Sequence, residues 1–228
     1  NMAATVGAYY LAAFNQGKGV QLGRVMGERH GKVMIIGNGV VGRHAANIAA
    51  GFGANVIVME RELKQQKGMP ENIRYVLSTP ENISKHIRDT DLLIGAVLLP
   101  GAKAPYIVTE DMVKKMQAGS VIVDVAIDQG GCVETSKVTS HSEPVFIKHN
   151  VLHYGVSNMP GAYPRTSTIA LTHATLPYVL KLAEEGTAAL KQDDAFAKGL
   201  NTRKGYITYQ SVAESLDMMD RYRAFKDT

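Results

Sequence analysis

The sequence has 228 residues, of which 45% are hydrophobic and 20% charged, with a formal net charge of +4. That is enough chain to bury a sizeable core without covalent staples, and its one cysteine, Cys132, allows no intrachain disulfide. Its basic residues are scattered, tryptophan is absent, and no basic run alternates with aromatics, so the charge does not point to nucleic acid; no apolar stretch approaches the roughly 20 residues that span a bilayer, and no signal peptide opens the chain, which together with the lone cysteine fits a cytoplasmic protein.

Residues 1–14 place Met2, Val6, Tyr9, Tyr10 and Ala13 near helical spacing. No capping signal precedes them, so the reading is of a helix entered part-way, in a fragment of something longer. Glycines at 17, 19, 23 and 27 separate this helix from the rest of the chain. Residues 32–36 are a short apolar run that predicts a buried strand, and 41–52 predict a helix. A second strand is expected at 55–59 and a third, weaker one at 74–77. Pro80 suits the first turn of a helix over 80–90. A strand at 92–96 comes next, then a helix at 109–116 that Thr109 can cap. Residues 120–125 form a β-branched strand, and strands at 145–147 and 151–156 complete the sheet.

Strands alternate with helices, and several strands lack period-two alternation, as expected of a parallel sheet covered on both faces. Residues 31–161 are therefore read as one α/β domain, a doubly wound Rossmann-type unit. Residues 1–30 are read as a linker helix and loop, and 162–228 as a helical tail. In that tail 167–185 predict one long helix, which Pro177 should kink, with further helices near 188–198 and 209–216.

The sharpest local signal is Gly37-Asn38-Gly39-Val40-Val41-Gly42, placed after a strand and at the start of a helix. In the dinucleotide-binding fingerprint the first glycine makes the turn, the second lets the backbone approach a pyrophosphate, and the third lets helix and strand pack closely. The helix N-terminus then offers free N–H groups to phosphate. Eighteen residues after Gly42, Glu60 ends the second strand. An acid there accepts hydrogen bonds from an adenosine ribose and repels a 2′-phosphate, favouring NAD over NADP; Arg61 beside it works against that preference. The simpler alternative is a glycine turn and a surface glutamate.

Three further segments lie at strand ends, where open α/β sheets bind ligands. Asp124-Val125-Ala126-Ile127-Asp128-Gln129-Gly130-Gly131 carries two carboxylates. Asp124 can satisfy loop backbone, and Asp128 either faces a ligand or simply forms the turn. Residues 95–105 are small and apolar enough to flank a flat ring. Val156-Ser157-Asn158-Met159-Pro160-Gly161 offers Asn158 to a carboxamide or ribose. The last two segments also read as plain loops. The seven histidines form no ligand spacing, so no metal is expected. Cys132 reads as a small packing residue.

Taken together, the glycine turn, the 95–105 segment, Asp124 to Gly131, and Asn158-Met159-Pro160-Gly161 through Pro164-Arg165-Thr166-Ser167-Thr168 resemble the alanine dehydrogenase family, over nearly all of residues 1–209. The related nicotinamide nucleotide transhydrogenases share the fold, and Asp128-Gln129-Gly130-Gly131 tips the resemblance toward the dehydrogenases. The resemblance implies an oxidoreductase of L-alanine catabolism that interconverts L-alanine with pyruvate and ammonia using NAD. It places Gly37, Gly39, Val40, Val41 and Gly42 at the pyrophosphate, Glu60 on the adenosine ribose where the family usually has aspartate, and Ser78 near the adenine. Val97 and Leu98 flank ring and ribose, and Val125, Ala126, Ile127 and Asp128 line the nicotinamide side. Ser157, Asn158, Met159 and Pro160 close the pocket, and Asp128 matches the catalytic aspartate. The family carries its substrate-binding arginine and lysine and its histidine acid/base on an N-terminal domain onto which the tail folds, and it assembles as homo-oligomers, usually hexamers. This chain resembles only the part of the family C-terminal to that domain, so it is expected to bind NAD(H) but to be inactive alone. A transhydrogenase-like NAD module and a non-catalytic NAD-binding regulator are the other readings.

Overall fold

The computed structural model describes residues 1–63, 68, 70–98 and 106–225. In chain order the elements are α1 (Met2–Tyr10), β1 (Gly23–Val25), β2 (Glu28–His30), β3 (Lys32–Ile36), α2 (Val40–Phe52), β4 (Asn55–Glu60), β5 (Ile73–Leu77) and α3 (Pro80–His86). Then come β6 (Leu92–Gly95), α4 (Glu110–Val113), β7 (Val121–Asp124), β8 (Val145–Lys148), β9 (Val151–Tyr154) and α5 (Pro164–Glu185). The chain closes with α6 (Ala188–Lys191), α7 (Asp194–Ala197), β10 (Thr202–Arg203), β11 (Tyr206–Ile207) and α8 (Gln210–Ser215).

The main sheet has seven strands in the order β5-β4-β3-β6-β7-β9-β8. All its neighbouring pairs are parallel except β8 with β9. The strand order reverses direction between β3 and β6, which makes the crevice at their carboxyl ends the place where such sheets receive ligands. The continuous apolar runs in β6 and β7 are buried along their whole length, because helices cover both faces of the sheet. On one face α1 and α2 bury Ala3, Ala4, Ala45, Ala46 and Ala49 against Val33, Ile35, Leu92 and Val121. On the other, Ile83, Ile87, Met112 and Val113 pack over Met34, Ile36, Leu93 and Ile122. The alanines let α2 lie close to the sheet.

Among the described residues, those up to 98 and from 106 to 159 form one compact unit, and those from 160 onward form a second. The first unit takes in residues 1–30, so the stretch read as a linker contributes α1 to the core. In the second, α5 starts at Pro164 and runs through Pro177. The single helix expected near 188–198 is divided into α6 and α7. The Asp193 carboxylate causes the break, accepting from the Ala195 and Phe196 N–H groups at 2.9 and 3.0 Å as an N-cap.

Two small hairpins were not expected from the sequence, β1 with β2 and β10 with β11. The edge strand β8 is antiparallel because its connection to β9 is only two residues long. His149 and Asn150 both take positive φ there (53° and 60°), the turn geometry that joins antiparallel neighbours. No helix among the described residues is long and apolar enough to cross a membrane.

His153, on β9, is 1% exposed. Its Nε2 lies 2.7 Å from Thr135 Oγ1, its Nδ1 lies 2.9 Å from the Val151 carbonyl oxygen, and Phe146 stacks on its ring. Burial, reinforced by the positive charges of Lys148 and His149, holds its pKa down at about 4. Unfolding frees the ring to take up a proton below its ordinary value of about 6.5. Its contribution is therefore fully present above that value and is lost as pH falls toward 4, a change on the order of 3 kcal/mol. The urea midpoint is expected to drop between pH 7 and 4.5, and His153→Gln, though less stable at pH 7, is expected to flatten that drop. Equal slopes for the two proteins would show that His153 does not drive it.

Candidate dinucleotide site

The carboxyl end of β3 turns at Gly37, whose φ of +106° few other residues adopt. A Cβ there would stand 2.5 Å from the Ala96 carbonyl oxygen, so the turn lies directly against the end of β6. Gly37 N–H donates to the Met59 carbonyl at 2.9 Å, tying the turn to β4 as well. A Cβ on Gly42 would meet the Gly37 carbonyl oxygen at 1.9 Å, so the third glycine is required by the first.

Gly39 is different. It is the N-cap of α2 with ordinary extended backbone, and a Cβ built there meets nothing within 4 Å. No side chain caps α2. The first N–H groups of a helix have no intrahelical acceptor, so those of Val40, Val41 and Gly42 are left without one inside α2. Val40 and Val41 are exposed. This arrangement suits an anionic oxygen and a backbone that must be approached closely.

Glu60, at the end of β4, is 6% exposed. Its Oε2 accepts from Asn38 Nδ2 at 2.7 Å, while Oε1 is buried without a partner among the described residues. Ser78 N–H donates to the Glu60 carbonyl at 2.8 Å, which puts Ser78 beside it. A buried carboxylate oxygen with nothing to accept is costly, and a ribose hydroxyl is a donor of the right kind to fill it.

On the other side of the crevice, β7 ends in Asp124, and residues Val125–Gln129 form a 3₁₀ turn. Asp124 is 1% exposed. Its carboxylate accepts from the N–H groups of Ala126 (3.2 Å), Cys132 (3.0 Å) and Val133 (3.1 Å), so it clamps both ends of the loop. Burial raises its pKa, partly opposed by these donors. Burial and the Asp124 charge together push the Cys132 thiol up, which leaves it a packing group and not a nucleophile.

The clamped turn carries Ala126 and Ile127 inward and Asp128 outward. Asp128 Oδ1 accepts from Ser157 Oγ at 2.6 Å and from the Asn158 N–H at 3.4 Å. Among the described residues no hydrogen bond reaches Oδ2. Asn158 takes a φ of +52° and is exposed, and Met159 is buried in the core. Pro160 begins the second unit.

The fold thus brings three of the sequence segments to one edge of the sheet: the glycine turn with Glu60 and Ser78, the Asp128 turn, and Ser157 with Asn158. Val97 is half-buried and Leu98 exposed just beyond β6; the remainder of the expected ring-flanking segment, residues 99–105, lies outside the described residues. Asn38, a spacer in the glycine motif, is a contributor that the sequence does not single out. Among the described residues no cluster of three or more His, Cys, Asp or Glu side chains is placed to hold a metal ion.

Residues 3–210 match the family model "Alanine dehydrogenase/PNT, C-terminal domain". An alanine dehydrogenase of Staphylococcus haemolyticus is 51% identical over 223 residues, covering 95% of this chain and 60% of that protein. A solved L-alanine dehydrogenase superposes with a TM-score of 0.81 at 45% identity, over 95% of this chain and 62% of that one. A transhydrogenase from Sinorhizobium meliloti shares the fold, with a TM-score of 0.60 at 24% identity over 82% of this chain and 57% of that one. The chain spans about 60% of the length of the curated relatives it matches.

Proposed function

Because the chain belongs to the alanine dehydrogenase/PNT C-terminal domain family, we propose that it is the NAD-binding part of an L-alanine dehydrogenase, which converts L-alanine, NAD and water to pyruvate, ammonia and NADH. The observation that carries the reading is the pairing, at one crevice, of an uncapped helix start at Gly39 with a buried Glu60 whose Oε1 lacks a partner.

Residues 31–161 hold the dinucleotide in this reading, and 162–228 pack on a substrate domain supplied by residues outside this chain. NAD, when bound, supplies the hydride acceptor. The N–H groups of Val40, Val41 and Gly42 hold the pyrophosphate, Glu60 holds the adenosine ribose with Ser78 beside the adenine, and Val97 and Leu98 flank the ring. Val125 to Asp128 and Ser157 to Pro160 border the nicotinamide. Asp128 is the catalytic residue. Held by Ser157 and Asn158, its carboxylate accepts a hydrogen bond from the reacting amine and stabilises positive charge on that nitrogen as the C–N carbon is oxidised. A transhydrogenase-like module is the second reading, supported by fold likeness alone.

Calorimetric titration of this chain tests the proposal. NADH is expected to bind at least tenfold more tightly than NADPH, since a 2′-phosphate would meet the Glu60 carboxylate. Equal or tighter NADPH binding would turn the assignment toward Arg61.

A further inference from the structure

Sequence fingerprints give the ribose of a dinucleotide to the acid that ends the second strand. A carboxylate with both oxygens open can receive both hydroxyls of the diol. In this chain one of the two oxygens is already engaged, since Glu60 Oε2 accepts from Asn38 Nδ2. The orientation of that amide follows from chemistry: a carboxylate accepts only, so the Asn38 NH2 group must face it. Asn38 Oδ1 therefore points elsewhere, and it too is buried without a partner among the described residues. The same neighbourhood holds Tyr75, whose Oη is also buried and unpartnered and whose phenol is acted on by the charges of Glu60 and Arg43. Unpartnered buried polar atoms are uncommon in native proteins, and here Glu60 Oε1 and Asn38 Oδ1 belong to one hydrogen-bonded pair.

Both atoms are acceptors, and a single hydrogen bond ties their two groups together. A partner with two adjacent donors, the pattern of a vicinal diol, can complete both. It must not present a phosphate in place of either, because a phosphate brings acceptors and negative charge to two acceptors. We propose that Asn38 is a second ribose-reading residue, one adenosine-ribose hydroxyl donating to Glu60 Oε1 and the other to Asn38 Oδ1, and that it shares with Glu60 the selection of NAD over NADP. The two oxygens are closed to water, so ribose entry moves a covering side chain. Arg43 is exposed nearby, and its guanidinium donates to the Asn38 backbone carbonyl at 3.2 Å. The inference rests on the NAD reading above.

The test is titration of wild type and Asn38→Ala with NADH, NADPH and the 2′-deoxy and 3′-deoxy forms of NADH modified on the adenosine ribose. In wild type each deoxy form should bind about tenfold more weakly than NADH, the scale of one lost hydrogen bond. In Asn38→Ala, NADH itself should weaken about tenfold, one of the two deoxy forms should lose nothing further, and the NADH-to-NADPH ratio should narrow. Undiminished NADH affinity in Asn38→Ala, or a full loss for both deoxy forms in that variant, overturns the role of Asn38 while leaving the NAD reading intact. Failure of wild type to bind NADH overturns the NAD reading and this inference with it. If Asn38→Ala does not fold, Asn38→Ser, which also lacks the amide, carries the same test.

Discussion

Gly39→Val is expected to fold as wild type and to lose NADH binding by at least about 100-fold, equivalent to roughly 2.7 kcal/mol. The two halves of this expectation have separate causes. Gly39 has a φ of −76° and a ψ of −165°, backbone that a β-branched residue adopts freely. A Cβ built on it meets nothing within 4 Å. Among the described residues nothing gives a reason for glycine at this position, and the pyrophosphate proposed to approach it supplies one. A valine side chain at the start of α2 occupies the space over the free N–H groups of the first turn, where the pyrophosphate is placed. Gly42→Ala serves as the contrast, because its Cβ would stand 1.9 Å from the Gly37 carbonyl oxygen and would disturb the turn itself. The measurements are a thermal melt and an NADH titration on each variant. A Gly39→Val chain that binds NADH normally would mean that the glycine turn is not the phosphate site.

The second large effect concerns Asp128. Residues 1–228 by themselves are expected to show no measurable loss of NADH absorbance with pyruvate and ammonia. In a protein as long as the curated relatives turnover is expected, and Asp128→Ala should lower kcat by about 100-fold or more. Oxidising alanine requires its α-carbon to be held against the nicotinamide, and positioning supplies a large part of the barrier reduction. The candidate site has Asp128 facing outward on a turn clamped by Asp124, but it includes no cationic side chain assigned to the substrate carboxylate. Asn158→Ala should leave the Asp128–Ser157 bond in place and cost less than Asp128→Ala. Robust turnover by residues 1–228 would place the substrate site elsewhere in this chain. Full activity of Asp128→Ala in the longer protein would make Asp128 a turn former only.

Most of the features legible in the sequence were local. The glycine turn announces itself because three glycines at fixed spacing each have a steric reason, and Gly37 and Gly42 are seen to have one. Glu60 was legible because strand length fixes how far the acid lies from the turn. The buried strands β3, β6 and β7 were legible as apolar runs. Contacts made through space were not. Asn38 and Glu60 are 22 residues apart, and Asp128 and Ser157 are 29 apart, so no periodicity links them. The reversal of β8 depends on the positive-φ backbone of His149 and Asn150, and His-Asn announces a tight turn less plainly than Asn-Gly does. The hairpin of β1 and β2 escaped because Arg24, Glu28 and Arg29 give three-residue strands no apolar face. The broken helix near 188–198 turned on one side chain, Asp193, that could equally have sat on a helix surface.

A nicotinamide dinucleotide is proposed to lie across the carboxyl ends of β3, β4, β6 and β7. The opposite end of the sheet offers a competing place, an open cleft of about 250 Å³ whose lining includes Lys32, Asn55, Arg74, His86 and Asp89. Its lining carries the cations Lys32 and Arg74, with Lys32 ion-paired to Asp89. Amide chemical-shift mapping with NAD added to the ¹⁵N-labelled chain separates the two directly. The largest saturable shifts are expected at Gly37 to Gly42, Glu60 and Val125 to Asp128, with Lys32, Arg74 and His86 unmoved. Shifts confined to Lys32, Asn55, Arg74 and His86, with the glycine turn silent, would contradict it.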